Sequence, residues 1–116
     1  SDAAPDTIFA QILRKEIPAD FLHEDEYCVA FNDISPQAPI HILVIPRHPY
    51  RNISEASAAD PKLVGHLLAV CSMLAQQNNL GHGFRVVSNQ GPAGGQTVDH
   101  LHFHLLGGRD LSWPPG

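Results

Sequence analysis

Cysteine, basic residues and long apolar runs are all scarce in this chain of 116 residues, and each scarcity removes a class of function. The two cysteines, Cys28 and Cys71, stand far apart, each inside an apolar run. That excludes a dense disulfide framework and a paired-cysteine metal motif, and both read as buried free thiols of a reducing compartment. Seven lysines and arginines against twelve acids leave a formal charge of −5, too little positive charge to grip extended nucleic acid through a broad basic surface. A small anionic substrate is still open, because it needs only local donors. No run approaches the ~18 apolar residues of a membrane span, and the opening "SDAAPDTIFA" has no basic stretch followed by an apolar core. The reading is a cytoplasmic protein with no membrane partner.

The apolar share of 43% and charged share of 16% are those of an ordinary globular chain. Length and the absence of repeats imply a single domain over 1–116, with a loose tail at 1–6 and a C-terminal loop or tail at 107–116. In "TIFAQILRKEI", Ile8, Phe9, Ile12 and Leu13 recur at helical spacing, so a short helix is expected, ended by Pro18. "ADFLHEDEYCVAFNDI" reads as a hairpin around an acidic turn, with Tyr27, Val29 and Phe31 on one face. "HILVI", bracketed by prolines, is a buried strand beginning at His41. Asp60 as N-cap, Pro61 at the first helical position and Gly81 as a stop mark a long helix, with Leu63, Leu67, Leu68, Cys71 and Leu74 on one stripe. "FRVVSN" is a further strand, then comes the glycine-rich loop "QGPAGGQTVD", then a strand carrying three histidines. About five strands with one long and one short helix give an α+β antiparallel sheet.

In "HLHFHLL", His100, His102 and His104 share one strand face and Leu101, Phe103 and Leu105 the other. The apolar set faces the core and the histidines a cleft. Neighbouring histidine Cα atoms then lie roughly 7 Å apart and the outer two roughly 13 Å apart, too spread for all three to play one role. Three readings stand at this point. A metal needs ligand nitrogens drawn to about 3.3 Å of one another, awkward for a flat row of three. The row also fits plain decoration of a polar face. The third reading is a central nucleophile flanked by hydrogen-bond donors: a neutral imidazole, which titrates near 6.5, attacks phosphorus while its neighbours hold phosphate oxygens. The preceding loop supplies unhindered backbone N–H groups, and Gln96 and Thr97 add side-chain donors, which favours the phosphorus reading.

The row resembles the signature of the histidine triad (HIT) family. Its surroundings, "DTIFAQILRKEIPA", "FNDISPQAPIHILVIP", "GGQTVDHLHFHLLGGR" and the terminal "WPPG", resemble the branch of histidine triad nucleotide-binding proteins from Asp6 to Gly116. The resemblance implies a five-stranded antiparallel HIT-like sheet and a homodimer. It further implies hydrolysis of the P–N bond of adenosine or guanosine 5′-phosphoramidates to nucleoside monophosphate (AMP or GMP) and amine, with no cofactor required. Carried over, His102 matches the nucleotidylated nucleophile, His104 and His100 its partners, and His41 a supporting fourth histidine. Asp33 matches the ribose ligand; Ile8, Phe9, Phe31, Ile34 and Leu43 match the apolar walls around the base. Asn89, Gly95, Gln96 and Thr97 match the α-phosphate and leaving-group side, and His102, Phe103 and His104 are counted with them as nucleotide contacts. Thr97 stands where relatives often have serine. Trp113 matches a tail that reaches across the dimer and tunes substrate choice.

Two other functions stay open on these residues. One is a dinucleoside polyphosphate hydrolase or nucleotidyl transferase sharing the covalent intermediate, the other a nucleotide-binding regulatory scaffold. Asp33 before "ISP" also fits a plain turn. His23, His48, His66 and His82 read as solvent-facing or structural.

Overall fold

The computed structural model describes residues 6–116; the expected tail at 1–6 lies, apart from Asp6, outside the described residues. The elements in chain order are α1 (Ile8–Leu13), β1 (Phe21–Glu24), β2 (Cys28–Asn32), β3 (Ile40–Pro46), α2 (Ile53–Ala59), α3 (Pro61–Gln77), β4 (Phe84–Val87) and β5 (Phe103–Gly107). The five strands form one sheet in the order β1-β2-β3-β5-β4, every neighbouring pair antiparallel. This is the α+β antiparallel sheet expected, with one helix more.

Directly opposed residues of an antiparallel pair share a face. Phe31 opposes Leu43, Val29 opposes Ile45, and Leu43 opposes His104. This face packs on Phe9 and Ile12 of α1. On the other face, Ala30 opposes Val44, Val44 opposes Phe103, and Ile42 opposes Leu105. These pack on Leu63, Leu67, Cys71 and Leu74 of α3 in the larger core. The central strand β3 is thus covered on both sides, and Ile42 through Pro46 are all buried. It begins at Ile40, one residue before the expected start.

The helix stops differ from expectation for one reason. After α1, Lys15 takes φ 62° and Glu16 N–H donates to Gln11 O at 2.9 Å. That left-handed closure ends the helix before Pro18 is reached. After α3, Asn79 takes φ 59° and Leu80 N–H donates to Ala75 O at 2.9 Å, so an asparagine does what was expected of Gly81. The α3 start is as read: Asp60 caps it by accepting from Leu63 N–H, and Pro61 opens it. Leu68 leaves the stripe and is exposed. Tyr27 likewise leaves the face of Val29 and Phe31, because it sits in the turn with its ring edge-on to His66 at 5.3 Å.

Helix α2 has no counterpart in the apolar periodicity. Asn52 Oδ1 accepts from Glu55 N–H at 2.9 Å, an N-cap with an acid three residues on, but the helix buries only Ala56 and so shows no apolar stripe.

Candidate active site

The histidine row is only partly a strand. The ladder of β5 starts at Phe103, so His104 alone is in it, and the expected three-histidine strand is corrected to a shorter one. The reason lies in the backbone groups upstream, which are taken by other partners. His100 O accepts from the His102 ring at 2.7 Å, His102 O accepts from Ser88 Oγ at 3.1 Å, and Leu101 N–H donates to Tyr50 O at 2.7 Å. The alternation survives all the same. Leu101, Phe103 and Leu105 are buried in the α3-side core, and the histidines turn the other way.

His100, His102 and His41 each have their tautomer set by a backbone group that can only accept or only donate, and His41 passes the choice on to His104. His102 donates its Nδ1 proton to the His100 carbonyl, which leaves Nε2 with a lone pair. His100 Nε2–H donates to Pro46 O at 2.8 Å. His41 Nδ1 accepts from Gln37 N–H at 3.0 Å, so its proton is on Nε2, which faces His104 Nδ1 at 2.9 Å and Asp33 Oδ2 at 3.5 Å. His104 is thereby the acceptor at Nδ1 and the donor at Nε2. Phe9 of α1 stands edge-on to His102 at 5.0 Å between ring centres and fixes the ring plane.

Burial favours the uncharged form of all three members of the row. It pushes His100 and His102 below the usual imidazole range, against the carbonyl hydrogen bonds that raise them. Burial, helped by His102 and His41, brings His104 down to about 4. At neutral pH the row is neutral, with the His102 lone pair available.

His102 and His104 line a pocket of ≈ 290 Å³. Ile8, Phe9, Phe31 and Leu43 form its apolar wall, Asp33 and the exposed Ile34 its rim, and Thr97 lines it as well. Ile12, Asn32 and Val98 complete the lining. Ile12 is on the same helical face as Ile8 and Phe9, and that spacing was a usable signal; Val98 gave none. Ser88, which holds the His102 carbonyl, was also missed, since a serine at a strand end looks like any other.

Other residues named for the site are placed as follows. His100 and His41 are buried behind the pocket and support it rather than line it. The Phe103 side chain is in the opposite core. Gln96 spends both Nε2 hydrogens on Arg51 O and Val98 O and accepts from Gly91 N–H, so it braces the glycine-rich loop. Gly95, at φ 86°, closes the short turn Pro92–Gly94 and needs its left-handed backbone. Asn89 lies against Gly95, off the pocket lining. Asp33 both closes a turn and lines the pocket: Oδ1 accepts from Ser35 N–H at 2.8 Å while Oδ2 faces His41. Trp113 is exposed, with the Arg85 guanidinium 6.0 Å from its ring centre. His48 stacks on Tyr50 and His82 is exposed, while His23 and His66 meet at Asp25.

Among the described residues, Asp33, His41 and His104 bring possible metal-ligand atoms within 4.8 Å of one another. No described helix is long and apolar enough to cross a membrane.

A family model for the HIT domain matches residues 14–111. A HIT-like protein of Synechococcus elongatus is 60% identical over 96% of this chain and 97% of its own length. A maize protein described as a 14 kDa zinc-binding protein is 48% identical over 95% of this chain and 88% of its own. Among solved structures, a HIT family hydrolase from Legionella pneumophila superposes with a TM-score of 0.90 at 44% identity, covering 94% of this chain and 98% of that one.

Proposed function

Since the chain belongs to the HIT domain family, we propose that it is a hydrolase of purine nucleoside 5′-phosphoramidates that works through a nucleotidyl-histidine on His102. The observation that carries this reading is the 2.7 Å hydrogen bond from His102 Nδ1 to the His100 carbonyl, which leaves a neutral Nε2 lone pair at the pocket. In the first step Nε2 attacks the α-phosphorus, the P–N bond breaks as the nitrogen takes a proton from solvent water, and the neutral amine leaves. In the second, water attacks the same phosphorus, the P–Nε2 bond breaks, and nucleoside monophosphate departs with His102 restored. His104 Nε2–H, held by His41 behind it, is the donor for the phosphate oxygens as negative charge builds.

The apolar wall of Ile8, Phe9, Phe31 and Leu43 suits a flat purine, and the Asp33 carboxylate at its rim suits ribose hydroxyls. The solved Legionella relative carries the description hydrolase, which supports the reaction class. A homodimer and a cytoplasmic location belong to the same reading. The maize relative is described as zinc-binding, and Asp33, His41 and His104 are close enough to ligate. The scheme assigns those atoms to the relay instead and requires no metal, because a neutral imidazole is a nucleophile at phosphorus unaided.

The test is a substrate panel. Adenosine and guanosine 5′-phosphoramidates are expected to turn over with chelator present; preference for a dinucleoside polyphosphate, or loss of activity on chelation, would overturn the assignment.

A further inference from the structure

On the opposite face of the sheet from the pocket, the turn between β1 and β2 gathers a second group of chemically capable side chains. His23 opposes Ala30 across the β1–β2 pair, so it points to the α3 side, as Cys28 does. Asp25 sits in the turn between them. Its Oδ1 accepts from Tyr27 N–H at 2.7 Å and Cys28 N–H at 2.8 Å, which fixes the carboxylate plane. The other oxygen, Oδ2, is where the rest converge: His23 Nε2 at 2.6 Å, His66 Nε2 from α3 at 2.8 Å and Cys28 Sγ at 3.5 Å.

From this geometry we infer that His23 Nε2, Asp25 Oδ2, Cys28 Sγ and His66 Nε2 form a binding site for a zinc-class divalent transition metal. The potential ligand atoms of His23, Asp25 and Cys28 all lie within 4.8 Å of one another, and His66 reaches the same oxygen from the helix. A tetrahedral zinc centre with bonds of about 2.0–2.3 Å needs its ligand atoms roughly 3.3–3.8 Å apart, so modest side-chain rotation closes the set. Two imidazoles, one carboxylate and one thiolate select zinc, cobalt or nickel over magnesium and calcium, which require oxygen donors.

The surroundings already hold the ligands in place. The Tyr27 ring packs edge-on to His66, and Arg47 Nε–H donates to Asp25 O at 2.8 Å, pinning the turn from β3. Asp25, His23 and His66 are partly exposed, giving a metal an entry path, while Cys28 closes the inner side. On binding, the Nε2 protons that His23 and His66 now donate to Asp25 move by way of solvent to Nδ1 of the same rings, the Cys28 S–H bond breaks with its proton leaving to solvent, and the freed nitrogen and sulfur electron pairs bond the metal. Such a metal would tie the edge hairpin β1–β2 to α3, remote from the chemistry at His102.

The experiment is zinc titration of the metal-free full chain against a chromogenic chelator, with cobalt absorption and thermal unfolding alongside. One equivalent is expected in wild type, with a sulfur-to-cobalt charge-transfer band and a zinc-dependent rise in Tm. Cys28→Ser should abolish the band, and the surface variants His66→Ala and His23→Ala should weaken binding by at least about tenfold while still folding and hydrolysing substrate normally. His104→Ala should bind zinc like wild type. Absence of zinc binding in wild type would overturn the inference. So would binding that disappears in His104→Ala but persists in Cys28→Ser and His66→Ala, which would put the metal among Asp33, His41 and His104.

Discussion

The His102 ring donates from Nδ1 to the carbonyl oxygen of His100, two residues before it, at 2.7 Å. A backbone carbonyl can only accept, so this bond fixes the proton and leaves the lone pair on Nε2, toward the pocket. His100 is itself locked by Pro46 O on β3, and the His102 carbonyl by Ser88 Oγ beyond β4. The ring proposed as nucleophile is thus oriented from two neighbouring strands before any ligand arrives.

The relay behind His104 makes a separate prediction. His41→Ala removes the N–H that sets the His104 tautomer, so kcat is expected to fall by up to about 10²-fold with KM changed far less. Steady-state kinetics on both parameters check it; a rise in KM alone would assign His41 to binding.

The pH dependence of stability follows from the buried row. His104 protonates near 4 in the folded protein but near 6.5 when unfolded, so between these values the unfolded state binds more protons and stability rises with pH. His100 and His102 are shifted in the same direction. The urea midpoint should therefore drop on acidification from about pH 6.5 to about pH 4. The acidic limb of kcat/KM is expected below about 6.5, the free imidazole value, since His102 stays neutral longer. A limb above that value would mean the nucleophile is charged at neutral pH.

The two thiols are expected to be inert in the native, metal-free protein. Burial, reinforced by Asp25, pushes Cys28 up to about 12, and burial takes Cys71 to about 12. An alkylating reagent at about pH 8 should label neither until denaturant is added, and then both. Rapid labelling of either in the native state would contradict their burial.

Much of the fold and site was legible in the sequence, and what was not has physical causes. The two-residue period of His100, His102 and His104 against Leu101, Phe103 and Leu105 was enough to put the histidines on one side and the apolar residues on the other, and the cap at Asp60 was plain. The stops at Lys15 and Asn79 were not, because residues other than glycine took the left-handed backbone and conspicuous Pro18 and Gly81 came too late. Helix α2 was invisible to periodicity, burying one alanine. Sequence offered Gln96 as a side-chain phosphate donor, and in the fold its amide N–H groups go to Arg51 O and Val98 O, a matter of tertiary hydrogen bonding that composition does not carry. The meeting of His66 with Asp25 and Cys28 likewise required α3 to lie across the sheet.

Formation of a nucleotidyl-histidine on His102 is read out by intact-mass measurement on single turnovers of adenosine 5′-phosphoramidate, quenched without acid. Wild type is expected to gain the mass of one adenylyl group early in the reaction and lose it as AMP appears. His102→Ala should never gain it and should hydrolyse at the background rate. A His102→Ala protein that turns over as fast as wild type would contradict the account, whatever the mass spectrum shows.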